Sequence, residues 1–424
     1  MKLLAELIVG LQHGWPYRLA LGFFAAYPIV TSILWITTSM FFLRRWERAG
    51  ARDDDAADDT ALPTVTVLIP AHNEAEVIAG TLEAACRIDY PRYEVVVVDD
   101  GSTDDTSARV QPFLAGRGVR LVQKKVNEGK ALALNDAWPL CRGEVVLTLD
   151  ADAAPDPLIL RRLAPHFRSA RVAAVTGNPR VRNFDTFMAR LQAIEFSSIV
   201  SLLRRSQRVW GRIVTVSGVV AAFRRSAVAD VGGFSPNMPT EDIELTWKLQ
   251  KRFYDVRYEA RAIVWMTVPT SLRGLYRQRL RWARGLMQVF HKHADVALHW
   301  KYRRMWPMFV ESALSIVWAL CFVVLTGIWV ASYAIGVPPV GASPIPNLWG
   351  MTIGTLCLLQ LLVGTLVDRQ YDRGILRYYA YAVWYPLVYW MFLSLTTVLS
   401  LNWLFRRPVA AAVRWNTQRS GSAA

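Results

Sequence analysis

Apolar residues along the chain fall into long stretches without charge near both ends and into short runs between them. Residues 19–43, 312–367 and 378–404 contain no Asp, Glu, Lys or Arg. A helix that crosses a bilayer needs about 20 apolar residues, so the first and last stretches each predict one membrane span and the middle stretch predicts two. The Pro- and Gly-containing run at 336–347 predicts the turn between those two. The simplest prediction is therefore four spans.

The ends of these stretches indicate how they are oriented. Residues 19–43 exceed the apolar core of a secretory signal and are followed by two arginines, which favours a retained anchor over a cleaved signal. Basic residues tend to stay in the cytoplasm, and their positions beside the spans predict that residues 47–305 are cytoplasmic. A fourth crossing would leave Arg406, Arg407 and Arg414 outside, so a broken or re-entrant segment around Pro386 is the alternative to a full span.

The region between the first two stretches has a different pattern, in which β-rich runs alternate with helical spacing. Strands are predicted at 63–70, 93–98, 119–123 and 144–149, and helices at 73–86, 103–114 and 130–138. This alternation predicts an α/β domain with a mostly parallel sheet and helices on both faces. Ligands of such sheets bind at the carboxyl ends of the strands, which is where Asp99, Asp100, Asp150 and Asp152 fall.

Composition narrows the class of protein. The 424 residues are 53% hydrophobic and 20% charged and include 17 Trp, which is typical of a membrane protein that carries a polar domain. The net charge of +15 is explained by arginines that face anionic lipid. No nucleic-acid recognition motif accompanies these arginines, so a nucleic-acid polymer is not expected as a partner.

The acids at the strand ends each have two interpretations. Asp99 and Asp100, followed by Gly101 and Ser102, fit either an N-capping turn or the recognition of a nucleotide by hydrogen bonds. The pair Asp150 and Asp152 fits either a polar loop before Pro155 or a cation site. On an extended segment these two carboxylates would point the same way and repel each other unless a cation such as Mg²⁺ bridged them to a phosphate.

Two later motifs also have two interpretations. Glu241 and Asp242 precede a helical pattern and fit either a helix N-terminus or a general base that accepts the proton of a sugar hydroxyl. Gln278, Arg281 and Trp282 lie in the amphipathic run 270–300 and fit either a basic interfacial helix or a site for a departing diphosphate and a sugar ring. A second amphipathic run at 184–203 is also predicted to be interfacial.

The ordered set of motifs resembles the processive membrane glycosyltransferases of family 2, which include cellulose, chitin and hyaluronan synthases. The family pattern of D, DxD, TED and QxxRW is matched over residues 62–300 by Asp100, Asp150-Ala151-Asp152, Thr240-Glu241-Asp242 and Gln278-Arg279-Leu280-Arg281-Trp282. The resemblance implies an α/β GT-A glycosyltransferase domain inserted between transmembrane helices, with amphipathic interface helices. Segments 175–180, 215–225, 240–249 and 357–360 are, more narrowly, similar to the bacterial synthases of poly-β-1,6-N-acetyl-D-glucosamine.

The resemblance implies a role for each motif residue. Asp100 would contact the uridine, Asp152 with Asp150 would hold Mg²⁺ or Mn²⁺ and the diphosphate, and Asp242 beside Glu241 would be the base. Gln278, Arg281 and Trp282 would lie by the diphosphate and the acceptor sugar. Gly129 and Lys130, in the run from Asn127 to Asn135, match the loop on the uridine side of the family's site.

The implied function is the inverting polymerisation of N-acetylglucosamine from UDP-GlcNAc into a β-1,6-linked exopolysaccharide of the biofilm matrix. The implied location is the bacterial inner membrane, and the implied partners are the growing glycan, the bilayer and a small membrane subunit with possible cyclic-di-GMP control. The alternatives are another β-glycan synthase, a lipid-phosphate glycosyltransferase that transfers one sugar, and a transporter with a nucleotide-binding domain. Charge-free spans count against the transporter.

The predicted domain organisation follows from these patterns. It consists of an N-terminal membrane anchor at 1–46, an acidic linker at 47–61, a cytoplasmic catalytic domain at 62–270, amphipathic interface helices at 271–305, a C-terminal transmembrane region at 306–405 and a basic tail at 406–424.

Overall fold

A computed structural model describes residues 2–47, 62–115, 118–337, 348–406 and 412–414. Nearly all of the predicted acidic linker and of the predicted turn at 336–347, and most of the basic tail, lie outside these ranges. The described part is a sheet domain packed on a group of long apolar helices.

The sheet has eight described strands in the order β3-β2-β1-β4-β7-β6-β8-β5. The strands are β1 Val65–Ala71, β2 Tyr93–Asp100, β3 Val119–Lys124, β4 Val145–Leu149, β5 Ala154–Pro155, β6 Val172–Val181, β7 Val220–Arg224 and β8 Asp255–Met266. β7 runs antiparallel to β4 and β6, β5 runs antiparallel to β8, and the remaining neighbours are parallel. The mixed, mostly parallel sheet and its four predicted strands are confirmed.

Within the sheet domain the helices alternate with the strands, and further helices precede and follow this domain along the chain. They are α1 Lys2–His13, α2 Trp15–Phe42, α3 Ile78–Ala85, α4 Thr106–Leu114, α5 Lys130–Ala137, α6 Ile159–Leu163, α7 Phe187–Ile194, α8 Ser201–Trp210, α9 Arg225–Asp230, α10 Glu241–Lys251, α11 Leu272–Lys292, α12 Asp295–Leu298, α13 Trp306–Ala334, α14 Leu348–Asp368 and α15 Trp390–Val398.

The inner strand β2, next to the edge strand β3, explains why helices cover both faces of the sheet. Its valines alternate between two cores, because successive side chains of a strand point to opposite faces. Val95 and Val97 pack with Leu82 of α3 in one core, whereas Val96 and Val98 pack with Leu134 of α5 in the other. All four valines are essentially inaccessible to solvent.

Three helical stretches in the described residues are long and apolar enough to cross a membrane, namely Trp15–Glu47, Trp300–Ala334 and Gly350–Asp368. The prediction of a continuous fourth span at 378–404 is wrong. This segment is divided into a 3-10 helix at Ile375–Val383, a π-helical turn at Tyr385–Tyr389, the short α15, and a final 3-10 turn at Leu401–Leu404. Pro386 lies in the first turn of this π segment, where its missing backbone N–H costs no helical hydrogen bond, and the chain continues from there into α15. The broken segment weighed as the alternative agrees with the structure.

A buried network of charges joins the sheet domain to the ends of the long helices. Arg205 of α8 donates to Glu47, just after α2, at 2.5 Å, and lies 2.8 Å from the Asp368 carboxylate at the end of α14. Arg180 of β6 pairs with the other oxygen of Asp368. None of these four side chains is more than 3% exposed. The network therefore connects two long helices through the sheet domain.

The predicted interfacial run at 184–203 is largely covered by protein. It forms α7, a π-helical turn at Glu195–Val200 and the start of α8. Leu202 accepts a hydrogen bond from the Ser39 hydroxyl of α2 at 2.9 Å, and a Cβ on Gly364 of α14 would lie 2.6 Å from Ser198. Much of the amphipathic run therefore packs on the long helices, while Phe187 on its apolar side is 39% exposed.

Candidate active site

Lys130 lies at the centre of the polar groups along the carboxyl ends of the strands. It is the first residue of α5, and it follows Gly129, whose φ of 98° favours glycine. The Lys130 ammonium donates to Asp150 at 2.6 Å and to the Gly218 carbonyl at 3.1 Å, and lies 3.6 Å from Glu241. Three segments that are distant in sequence thus meet at the Lys130 ammonium group.

The geometry predicted for Asp150 and Asp152 is wrong. Residues 151 and 152 form a turn, closed by a hydrogen bond of 3.1 Å from the Ala153 amide to the Asp150 carbonyl. The alternation of an extended segment therefore does not apply to the two carboxylates. Asp150 is neutralised by Lys130, and both carboxylates are partly buried in the same turn at the end of β4.

Asp242 lies in the first turn of α10 and faces Gly218. A Cβ on Gly218 would approach one carboxylate oxygen of Asp242 to 3.0 Å, and the other oxygen accepts the Ile243 amide at 2.9 Å. Burial raises the pKa of Asp242 to about 6, with a further increase from the Glu241 carboxylate that outweighs the lowering by Lys130. A carboxylate with such a pKa is suited to accept a proton near neutral pH.

Asp100 is fully buried beneath the loop that precedes Lys130. Its carboxylate accepts the backbone amides of Glu128 at 3.2 Å and Gly129 at 2.7 Å, and it lies 3.3 Å from the Lys124 ammonium. These contacts hold the loop of Gly129 in place. The expected contact between Asp100 and a uridine would require a change in this loop.

The sequence interpretation missed a set of polar residues directly after β1. The His72 ring contacts the Asp100 carbonyl at 2.9 Å and the Asn127 amide at 3.0 Å, while the Asn73 side chain accepts the Thr103 amide at 2.8 Å. Their position at the carboxyl end of a strand was the available signal, the same one that marked Asp100. Gly218, by contrast, was noted only within the segment 215–225 and was given no role of its own.

The Gln278 to Trp282 motif lies on α11 and meets the turn before α10. The exposed Arg281 donates to the Pro239 carbonyl at 3.3 Å. Gly285 lies so close to Thr240 that an added Cβ would collide with its side chain. Gln278 keeps a buried side-chain oxygen without a hydrogen-bond partner among the described residues. The structure therefore brings the motif next to Glu241 and Asp242.

The Trp282 ring is supported by a second buried charge pair. The Arg279 guanidinium lies over this ring, 4.3 Å from its centroid, and donates to Glu195 at 2.5 Å. The Tyr389 hydroxyl also donates to Glu195, at 2.8 Å. Arg279 of α11 thus connects the Trp282 ring to the π-helical turns at Glu195–Val200 and Tyr385–Tyr389.

The described C-terminal residues also reach this edge. The Val413 amide donates to the Pro236 carbonyl at 2.8 Å, and a side chain on Gly129 would collide with the Val413 carbonyl. Part of the predicted basic tail therefore covers the loop that precedes Lys130.

Comparison with known proteins assigns this arrangement to a family. The glycosyltransferase-like family 2 profile matches residues 63–285. The chain is 30% identical over 407 residues to a poly-β-1,6-N-acetyl-D-glucosamine synthase of Staphylococcus epidermidis, a match that covers 95% of this chain and 98% of the relative. The chain belongs to glycosyltransferase family 2.

Further relatives of this family 2 glycosyltransferase agree with the assignment. The poly-β-1,6-N-acetyl-D-glucosamine synthase of Staphylococcus aureus strain COL is 30% identical over 405 residues, again 95% of this chain and 98% of the relative. A mannosyltransferase from Pyrobaculum calidifontis, solved with GDP-mannose and Mn²⁺, matches 83% of this chain and 100% of its own, with a TM-score of 0.57 and 24% identity. This likeness shows that the GT-A fold is shared.

The donor set of this glycosyltransferase fits a hard divalent cation. Within the described ranges, no three His, Cys, Asp or Glu side chains form a group that could hold a metal ion. Mg²⁺ needs only one or two protein carboxylates when phosphate oxygens and water complete its coordination. Asp150 and Asp152, which share one turn, supply that number.

The acid limb of the pH profile tests the environment of Asp242. We expect kcat/KM to fall below about pH 6, by about tenfold per pH unit, because a protonated Asp242 cannot accept a proton. Glu241→Gln removes a negative charge that opposes ionisation of Asp242, so the limb should move to lower pH. Glu128→Gln, which alters an exposed carboxylate bound to Lys124, should leave the limb in place. An unchanged limb in the Glu241 variant would assign the titration to another group.

Proposed function

We propose that this glycosyltransferase polymerises N-acetylglucosamine from UDP-GlcNAc into a β-1,6-linked glycan. The contact of Lys130 with both Asp150 and Glu241 carries the proposal, because it unites the diphosphate side and the base side of one site. The sugar and the linkage are supported by the names of relatives that match 95% of the chain. The Gln278 to Trp282 motif supports polymerisation over the transfer of a single sugar.

In the proposed reaction, Asp242 accepts the proton of the acceptor hydroxyl while that oxygen attacks the anomeric carbon of the donor sugar. The bond to UDP breaks on the opposite face, which gives inversion and a β linkage. Glu241 keeps the pKa of Asp242 raised, and the Lys130 ammonium holds the Glu241 and Asp150 carboxylates close to each other. Asp100 fixes the loop of Gly129 and Lys130 on the nucleotide side.

The leaving diphosphate needs positive charge. Arg281 is exposed beside the Pro239 carbonyl, and its guanidinium suits two phosphate oxygens at once. Asp150 and Asp152 would hold Mg²⁺ or Mn²⁺, which neutralises the leaving group when it is bound. Gln278 offers the acceptor sugar an oxygen that no described residue hydrogen-bonds, and Trp282 offers it a ring face.

We further propose that the enzyme is a multi-pass protein of the bacterial inner membrane with its catalytic domain in the cytoplasm. Three described helices of sufficient length and the arginines beside them support this location. A small membrane partner subunit, with control by cyclic-di-GMP, is proposed on the resemblance alone.

The substrate is tested with membranes that contain the full chain. Labelled UDP-GlcNAc, UDP-glucose and UDP-glucuronate are incubated in parallel, and the products are digested with linkage-specific hydrolases. We expect polymer and UDP release from UDP-GlcNAc only, with digestion by a β-1,6-specific N-acetylglucosaminidase. Membranes without the chain are the control. Polymer from another donor would identify a different β-glycan synthase, and a single sugar on a lipid phosphate would identify a non-processive transferase.

A further inference from the structure

A separate cavity lies at the opposite edge of the sheet from Lys130. It has a volume of about 500 Å³ and opens at the amino ends of β6 and β8. Because β6 and β8 run parallel to β4, their amino ends lie at the opposite end of the strands from Asp150, which follows the carboxyl end of β4. The charged residues that line the cavity are Arg171, Arg208, Arg212, Arg257, Arg304 and Asp255. The proposed reaction uses none of them.

The cavity holds five guanidinium groups and one carboxylate. Asp255 is shared between Arg208 at 3.4 Å and Arg257 at 2.8 Å. Arg171 and Arg304 are exposed and form no ion pair within the described ranges. Excess positive charge of this kind stabilises a bound anion.

Arg212 gives a second indication of an anion site in this cavity. Its side chain is only 7% exposed, and its Nε is buried without a hydrogen-bond partner among the described residues. Burial lowers the pKa of Arg212, and so do the guanidinium groups of Arg304, Arg208 and Arg171, although Asp255 opposes them. A buried guanidinium with an unused donor is costly unless an acceptor reaches it.

The location of the cavity indicates the source of the anion. Arg304 lies in the 3-10 helix Trp300–Met305 that leads into α13, and Pro307, which also lines the cavity, is in the first turn of that long apolar helix. Arg212 follows α8, whose Ser206 accepts a hydrogen bond from Thr38 of α2 at 2.8 Å. The cavity therefore lies beside the ends of two helices of membrane-spanning length, where the phosphates of lipid headgroups are found.

We propose that this cavity binds the phosphate group of a ligand at the membrane surface. Arginine suits this role because its planar fork donates two parallel hydrogen bonds to phosphate oxygens. Arg212 supplies the buried donor. Arg171 and Arg304 supply charge that no carboxylate among the described residues neutralises. An anionic lipid and a free phosphate share this chemistry, and binding experiments separate them.

The test compares two double variants of the full-length protein in uncharged detergent. Arg171→Gln with Arg304→Gln removes the two exposed cavity arginines. Arg168→Gln with Arg303→Gln makes the same charge change on exposed arginines that do not line the cavity. UDP binding by both proteins serves as the check of folding.

Binding is measured in two arms. Native mass spectrometry counts bound phosphatidylglycerol against zwitterionic phosphatidylcholine, and thermal unfolding measures stabilisation by inorganic phosphate. We expect the cavity variant to bind its phosphate ligand at least about tenfold more weakly than the control variant, because two charge-assisted contacts are lost. A loss confined to phosphatidylglycerol identifies a lipid, and a loss confined to inorganic phosphate identifies a free phosphate. Equal binding by both variants in both arms would overturn the proposal.

Discussion

Asp242→Asn is expected to lower the rate of polymer formation by about 10² to 10⁴-fold, the usual contribution of a general base. The amide keeps the shape of the carboxylate and the acceptor oxygen for the Ile243 amide, but it cannot accept the proton of the acceptor hydroxyl. Binding of the UDP-sugar should stay largely intact. The measurements are incorporation of labelled sugar into polymer and calorimetric titration with the UDP-sugar.

The matched control for this prediction is Asp230→Asn. Asp230 is exposed at the end of α9 and pairs with Arg252, outside the contacts of Lys130. This variant should elongate at the wild-type rate. Elongation at that rate by the Asp242 variant would refute its role as base. Loss of nucleotide binding together with activity would mean that the substitution disturbs the whole site instead of the proton transfer.

Asp368→Asn should release the catalytic domain from the long helices. The substitution leaves Arg180 and Arg205 buried without their shared counter-charge, and removal of one partner from a buried ion pair typically costs about 3–5 kcal/mol. We expect a lower midpoint of thermal unfolding in detergent and faster proteolytic cleavage between the domain and the spans. Activity should fall along with stability.

Asp372→Asn is the control for this second prediction. Asp372 lies four residues further along, is only partly buried, and accepts the Gly374 amide at 3.0 Å, a bond that an Asn oxygen retains. Its effect on the unfolding midpoint should be small. If the Asp368 and Asp372 variants unfold at the same temperature, the buried network does not hold the domain in place.

The strands and helices of the catalytic domain were predictable because local pattern and final environment agree. The β2 valines are apolar without alternation, as expected for a strand covered on both faces, and they are buried on both faces. The same reasoning located the acids at strand ends. It did not extend to side-chain direction, because the turn at Asp150 to Ala153 depends on a backbone hydrogen bond that the residue types alone do not reveal.

The membrane region was predictable only in part. Composition correctly identified the three helices that are long and apolar enough to cross a membrane. The residues around Pro386 are equally apolar but form short helical pieces. An amphipathic pattern also does not reveal whether the apolar face of the helix packs on lipid or on other helices of the protein. The α7 and α8 region was predicted to be interfacial, and the structure shows that part of it packs against Ser39 and Gly364. The meeting of Gly218 with Lys130 and Asp242 depends on tertiary structure and had no sequence signal.

The buried network has a consequence for the order in which the protein is assembled. Arg180 and its partner Asp368 are 188 residues apart, whereas Arg205 and Glu47 are 158 apart. Because synthesis proceeds from the N-terminus, both arginines and the whole sheet leave the ribosome before Asp368 is made. In the newly synthesised catalytic domain, both arginines therefore still lack the Asp368 carboxylate. Docking of the domain through this network is therefore a late step of biogenesis, which has to follow the synthesis of α14.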